Sequence, residues 1–173
     1  SRFVAIDRDD NIWVSHPFHG IFRITQKADG TYSTTTFTSK NGLPSDLNNH
    51  IYKVKNEVVV ASEKGIYLFD VAKGLLAPSD FYKKLLGDQS IRYLKEDKEG
   101  NIWFIHEKNL GVVDMSAQQP AIIHLPELKN KMLSGFEFIY PVNDNNIFIG
   151  GERGFFHSNY EKYKKNIPAL HVQ

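Results

Sequence analysis

The sequence contains no cysteine. That excludes disulfide scaffolds, Cys-based zinc sites and thiol catalysis together. A charge surplus is missing as well: 21 Lys plus Arg stand against 20 Asp plus Glu, for a formal net charge of +1. Nucleic acid is held through a clear basic excess, so bulk electrostatics predicts no nucleic-acid partner. Long hydrophobic runs are also absent. The longest apolar stretches, such as "EVVVA" and "FEFIYPV", fall far below the roughly 20 residues of a membrane-spanning helix. No signal-peptide pattern is visible. The chain opens directly on the strand-like run "RFVAI", which reads as a piece of a longer protein.

What is present is material for a core. Hydrophobic residues make up 41% and aromatics 13% of 173 residues, enough for one ordinary domain. The core-forming residues repeat. "DNIWVSHPFHGIFRI" (Asp10 to Ile24) is echoed by "GNIWFIHEKNLGVVD" (Gly100 to Asp114), and more loosely by "NEVVVASEKGIYLFD" (Asn56 to Asp70) and "NNIFIGGERGFFHSN" (Asn145 to Asn159). The aligned bulky residues are Trp13, Val59, Trp103 and Phe148, separated by 46, 44 and 45 residues.

Each unit has the same grammar. An apolar run ("FVAID", "HIYKVK", "IRYLKED", "FIYPVND") leads into a turn rich in Asp, Asn and Gly. A Trp or Phe run follows, then a polar loop, a Gly and a further β-rich run. A fourth run is clearest as "YSTTTFTS" and "PAIIHL". Short Val, Ile, Thr, Tyr and Phe runs punctuated by turn residues are strands. Consecutive apolar positions in the second and third runs imply burial on both faces. Four antiparallel strands in about 45 residues are one blade of a β-propeller. The expected fold is therefore all-β: about four four-stranded blades, part of a larger propeller. The units span about 3–46, 47–87, 88–133 and 134–165.

Trp13, Val59, Trp103 and Phe148 then read as structural wedges of the blade core rather than sugar-stacking platforms. "NGLPSD" (Asn41 to Asp46) carries the chain from the rim of one blade to the hub of the next, because Asn-Gly and Pro favour a turn. "PSDFYKKLLG" reads as a short helix capped by Ser79 and stopped at Gly87, with Phe81 and Leu85 on one face. "PELKNKML" reads as another helical piece, and "YEKYKKN" (Tyr160 to Asn166) as a solvated basic patch.

The string "NGLPSDLNNHIYKVKNEVVVASEKGIYLFD", with "EDKEGNIWFIHEKNLGVVD" and "IDRDDNIWVSHPFHGIFRI", resembles the two-component-regulator propeller repeat. Gly42-Leu43-Pro44 and Asp97, Gly100-Asn101-Ile102-Trp103 match that pattern. Its Gly-Thr is replaced by Ser15-His16, Ala61-Ser62, Ile105-His106 and Gly150-Gly151, and the resemblance covers about residues 3 to 158. The resemblance implies the periplasmic sensor region of a hybrid two-component histidine kinase of Bacteroides type. It also implies an oligosaccharide or other small ligand, and a parent in which propellers precede an immunoglobulin-like domain, a membrane span and the kinase. "NIPALHVQ" (Asn166 to Gln173) fits a linker or the first strand of that following domain. The parent alone would contact the membrane.

Enzymatic readings find less support. WD-type dipeptides are absent, Lys98 stands where the Asp box of sialidases wants its Asp, and the five Arg are scattered at 2, 8, 23, 92 and 153. No nucleophile elbow and no H-x-x-x-H pair occur. Acids in turns, such as Glu96-Asp97, cap backbone amides more readily than they hydrolyse glycans. No catalytic residue, metal or cofactor is therefore assigned.

The loops after the Trp strands, "SHPFHG", "SEKG", "HEKNLG" and "GERG", share one propeller face with the blade connections and are the place for recognition. His16, Phe18, His19, Glu63, Glu107 and Arg153 are the ligand-binding candidates, because polar tips beside an aromatic ring suit a carbohydrate. The apolar flanks of an incomplete ring point to a homodimer. Two rivals stay open: a propeller-fold polysaccharide lyase or hydrolase, and a protein-binding scaffold with exposed apolar patches.

Overall fold

A computed structural model describes residues 3–166; the expectation for "NIPALHVQ" falls outside them after Asn166. Strands β1 (Val4–Ile6), β2 (Ile12–Ser15), β3 (Ile21–Gln26) and β4 (Tyr32–Phe37) form the first antiparallel sheet in sequential order. The second holds β5 (His50–Val54), β6 (Glu57–Ser62), β7 (Gly65–Asp70) and β8 (Leu75–Pro78). The third holds β9 (Ile91–Glu96), β10 (Ile102–His106), β11 (Asn109–Asp114) and β12 (Ala121–His124). The fourth departs from the expected four strands. It has β13 (Ile139–Asn143), β14 (Asn146–Gly151) and β15 (Gly154–Ser158), and helix α2 (Tyr160–Asn166) follows. Helix α1 (Asp80–Leu86) links the second and third blades. No helix among the described residues is long and apolar enough to cross a membrane.

Register explains why each sheet is apolar on both sides. Ala5, Trp13, Arg23 and Thr35 lie opposite one another, as do Tyr52, Val59, Leu68 and Ala77, then Lys95, Trp103, Val112 and Ile123, then Tyr140, Phe148 and His157. We call this side of each blade its trailing face, because it looks toward the next blade. The alternate residues form the leading face. Trp13 and Phe37 meet Phe69 of the second blade, with ring centroids 5.5 and 5.4 Å apart. Those residues, with Ile21, Ile51, Val60, Tyr67 and Leu76, form the first inter-blade core. A second, larger core runs through the trailing face of blade 2, all of blade 3 and the leading face of blade 4.

The hub is tied by tyrosines. Tyr52 donates to the Arg92 carbonyl at 2.8 Å, linking blades 2 and 3. The Tyr93 hydroxyl bridges the Ile139 carbonyl and amide of blade 4 at 3.3 and 3.2 Å.

Burial follows the repeat until the last unit. Trp13 is 2% exposed, and Val59 and Trp103 are fully enclosed. Phe148 is not: it is partly exposed, which corrects its placement in the blade core. The reason is that no described blade lies against its face. The other residues of that face, Phe138, Tyr140 and Phe155, are exposed, as are Val4 and Ile6 on the leading face of blade 1.

Both short helices also differ from the sequence reading. Ser79 caps α1 through a bond from the Tyr82 amide and Gly87 ends it, but the buried side chains are Tyr82 and Leu86, while Phe81 is exposed. A seven-residue helix shows only its inward turn to the core, and here that turn carries Tyr82 and Leu86. "PELKNKML" forms only a single tight turn, Pro126–Leu128. "YEKYKKN" is a packing helix rather than a solvated patch. Tyr160 is wholly buried against Trp103, with ring centroids 5.1 Å apart, and Tyr163 donates to the His124 carbonyl at 3.0 Å. Helix α2 thus packs on blade 3, against Trp103, Asp114 and the His124 carbonyl.

Candidate functional site

The acids of the first hairpin turns are structural. Asp97 Oδ1 accepts from the amides of Glu99 and Asn101, and Oδ2 accepts from Asn101 Nδ2 and from the indole of Trp103 at 2.9 Å. Asp7 repeats this with Asp9, Asn11 and Trp13, the last at 2.7 Å. In blade 4, Asn143 accepts from the Asn145 amide and Asn146 Nδ2, with no Trp to hold. The repeated Asp-x-x-x-Asn-x-Trp spacing therefore locks a wedge onto a turn. Both carboxylate oxygens are committed, which leaves neither acid available as a general acid or base.

Asp97, Glu99 and Asp144 place one carboxylate oxygen each within 4.8 Å of one another. Burial and the charges of Glu99 and Asp97 hold Asp144 above the ordinary carboxylate range. Of the three, Asp97 already has its four donors, whereas Asp144 Oδ1 is buried without a hydrogen-bond partner.

The opposite end of the strands carries the ligand candidates. There the tips of the second hairpins bond to the blade connections. The Gly20 amide donates to the Asp46 carbonyl at 2.9 Å, that of Gly65 to Gln89 at 3.1 Å, and that of Asn130 to Lys108 at 3.1 Å. The Glu152 amide reaches the Lys131 carbonyl at 3.4 Å. Tips and connections thus form one continuous surface.

On that surface, His16, Phe18 and His19 come together. The imidazoles of His16 and His19 lie 4.5 Å apart, the ring of Phe18 is 6.3 Å from His16, and Phe18 is 68% exposed. His16 Nδ1 accepts from the Phe18 amide at 3.1 Å. Local desolvation and the charge of His19 lower the His16 pKa. Glu63, exposed on the next tip, accepts from Asn48 Nδ2 at 2.8 Å. Glu107 and Arg153 are exposed on the third and fourth tips. The six candidates share a face but do not converge; only the histidine–phenylalanine group is a local cluster.

Sequence reading passed over His106 as a ligand contact. It lines a cavity of about 320 Å³ with Gln89, Phe104, Asn109 and His124. Its Nδ1 lies 2.8 Å from the Ser90 carbonyl, and a carbonyl only accepts, so Nδ1 carries a proton. Gly111 lets the Phe104 ring lie where it does: a Cβ there would collide with it. The signal available in the sequence was its repeat equivalence to His16.

No sequence-family profile matches the chain, and no curated protein matches it by sequence. Solved structures do match. The extracellular domain of BT4673 from B. thetaiotaomicron, described as a one component system, superposes with a TM-score of 0.63 at 20% identity, over 91% of this chain and 22% of that one. The extracellular domain of the hybrid two component system BT3049 from the same organism gives 0.61 at 16% identity, over 93% and 20%. BT4673, described as a hybrid two component system, gives 0.53 at 14%, over 92% and 28%. This chain shares its fold with those extracellular domains. It spans between a fifth and three tenths of their lengths. The neighbours belong to the protein class that the repeat resembles.

Proposed function

We propose that these blades are part of the periplasmic sensor region of a hybrid two-component histidine kinase, and that the region binds a carbohydrate-type ligand without turning it over. The observation that carries the reading is the surface of hairpin tips and blade connections, in a fold shared with extracellular domains described as belonging to hybrid two component systems. His16 beside His19 and the exposed ring of Phe18 offers what a sugar needs: planar donors and acceptors and one aromatic face. The turn acids Asp7 and Asp97, with both oxygens hydrogen-bonded, do not serve as a hydrolytic pair. Binding signals to the kinase only if the ligand prefers one arrangement of the parent over another.

Calorimetry of the complete parent ectodomain against plant and host oligosaccharides tests the reading, with His16→Ala and Phe18→Ala as comparators. Saturable binding that weakens in both variants supports it. Heat that continues without saturating, with new products formed, replaces it with the enzyme reading. Silence across the panel replaces it with the scaffold reading.

A further inference from the structure

Arg23 breaks the blade grammar. At the position opposite the bulky wedge, blades 2 and 3 carry Leu68 and Val112, and blade 1 carries an arginine. In blade 4 the equivalent is His157, so the apolar rule holds for blades 2 and 3; a charged residue in the packed first blade marks a local conflict, and such conflicts collect at functional positions. The guanidinium is held on three rings, 4.5 Å from the centroid of Phe69, 5.6 Å from Trp13 and 6.0 Å from Phe37. That arrangement fixes its plane. Its Nε is buried and meets no hydrogen-bond partner, and no carboxylate among the described residues pairs with it.

Arg23 also lines a cavity of about 210 Å³ between blades 1 and 2. Its walls include the turns at Asp7–Asn11 and Asn56–Val58. These are first-hairpin turns, at the strand ends remote from His16 and His106. The cavity's other charges are already committed or lie outward. Asp7 accepts from Asn11 and Trp13, Arg8 pairs with Glu57 at 3.0 Å, and Asp9 is exposed on its turn. An unsatisfied buried donor costs free energy, so a site that keeps one must gain from filling it.

We propose that this inter-blade cavity binds a hydroxylated carboxylate, with a sugar-acid unit as the fitting size. A carboxylate matches the planar donors of Arg23 in two parallel bonds. Glu57, whose pairing with Arg8 uses Oε1 alone, repels a bare anion but accepts from hydroxyl groups through Oε2, so a ligand bearing both kinds of group fits the wall as it stands. The volume admits one ring rather than a chain. This site is separate from the tip surface and does not depend on the reading given for it.

The test is calorimetry of this chain with galacturonate and glucuronate, with galactose and acetate as the controls that lack one group each. The comparator is Arg23→Leu, which installs the residue of blade 2 and leaves the fold with an apolar wedge. The expected result is saturable binding of at least one uronate, with galactose and acetate roughly tenfold weaker or more. Arg23→Leu loses the uronate while keeping the melting temperature, and Arg23→Lys falls between. Equal binding of galactose or acetate, full retention by Arg23→Leu, or no saturable heat with either uronate overturns the proposal.

Discussion

Tyr160 and Asp114 lie 46 residues apart and share a hydrogen bond of 2.8 Å, the hydroxyl of the helix after blade 4 donating to a carboxylate of blade 3. Lys164 adds an ion pair to the same Oδ2 at 3.1 Å, and Ser116 donates to Oδ1 from its amide at 2.8 Å and from its hydroxyl. Burial alone would raise the Asp114 pKa; the Ser116 bonds, with those from Tyr160 and Lys164, override it and bring the group down to about 2. The last helix is therefore fastened by charge as well as by the Tyr160–Trp103 contact.

That fastening has a pH signature. The folded pKa lies below the unfolded value of 3.8, so the stabilisation is fully present above the unfolded pKa and is lost as pH falls toward about 2. Its size is on the order of 2 kcal/mol. Urea midpoints measured from pH 6 down to pH 2.5 should fall through this window, and Asp114→Asn should flatten part of the acid limb. A slope identical to that of the unmodified chain would remove Asp114 from the account.

The two turn acids should differ in cost. Asp97→Ala leaves the indole N–H of a fully buried Trp103 unpaired, whereas Asp7 is more exposed. An unsatisfied buried donor costs about 1–3 kcal/mol, offset in part by relief of the crowding with Glu99 and Asp144. We expect Asp97→Ala to lower the denaturation midpoint more than Asp7→Ala does. The reverse order in paired urea curves would contradict the geometry.

Gly42, in the Gly-Leu-Pro turn, is needed for space as well as for its φ of +98°: a Cβ would run into the Leu76 carbonyl. Gly30 has a similar φ of +82° with nothing nearby. Alanine at Gly30 should cost about 1–2 kcal/mol for backbone strain alone. Alanine at Gly42 should cost distinctly more, because the blade connection must shift. Thermal melts of the two variants separate the strain from the collision, and equal losses would show that the connection yields freely.

The trailing face of blade 4 should drive association of this chain. Phe138, Tyr140 and Phe155 are exposed around Phe148, and contiguous apolar patches seek a partner. Sedimentation velocity should show concentration-dependent species that a Tyr140→Lys, Phe155→Lys double variant shifts toward monomer without lowering the melting temperature. A chain that stays monomeric at high concentration would count against it.

The fold was legible because a repeat writes its constraints more than once. Trp13 and Trp103 share spacing to Asp7 and Asp97, and that spacing encodes the turn, the wedge and the bond between them. Phe148 was misread because its spelling matches the others while its burial depends on a neighbouring blade, which local sequence does not encode. Tyr160 was misread for a related reason: charged neighbours masked one inward residue whose partner lies 46 positions back. The tip surface was legible as a face, since topology brings the second hairpins together. Which tips meet was not, because contacts such as Asn48 with Glu63 depend on how the blade connections settle.

The two ends of the arc are chemically unlike. Blade 1 offers the aliphatic side of a sheet, with Val4 and Ile6, and blade 4 offers aromatic rings. Inside the arc a trailing face meets a leading face at each seam. The assembly therefore has a direction. Like ends cannot reproduce the seams inside the arc; only an unlike pair can, and only a rotation that returns to its start leaves no end over.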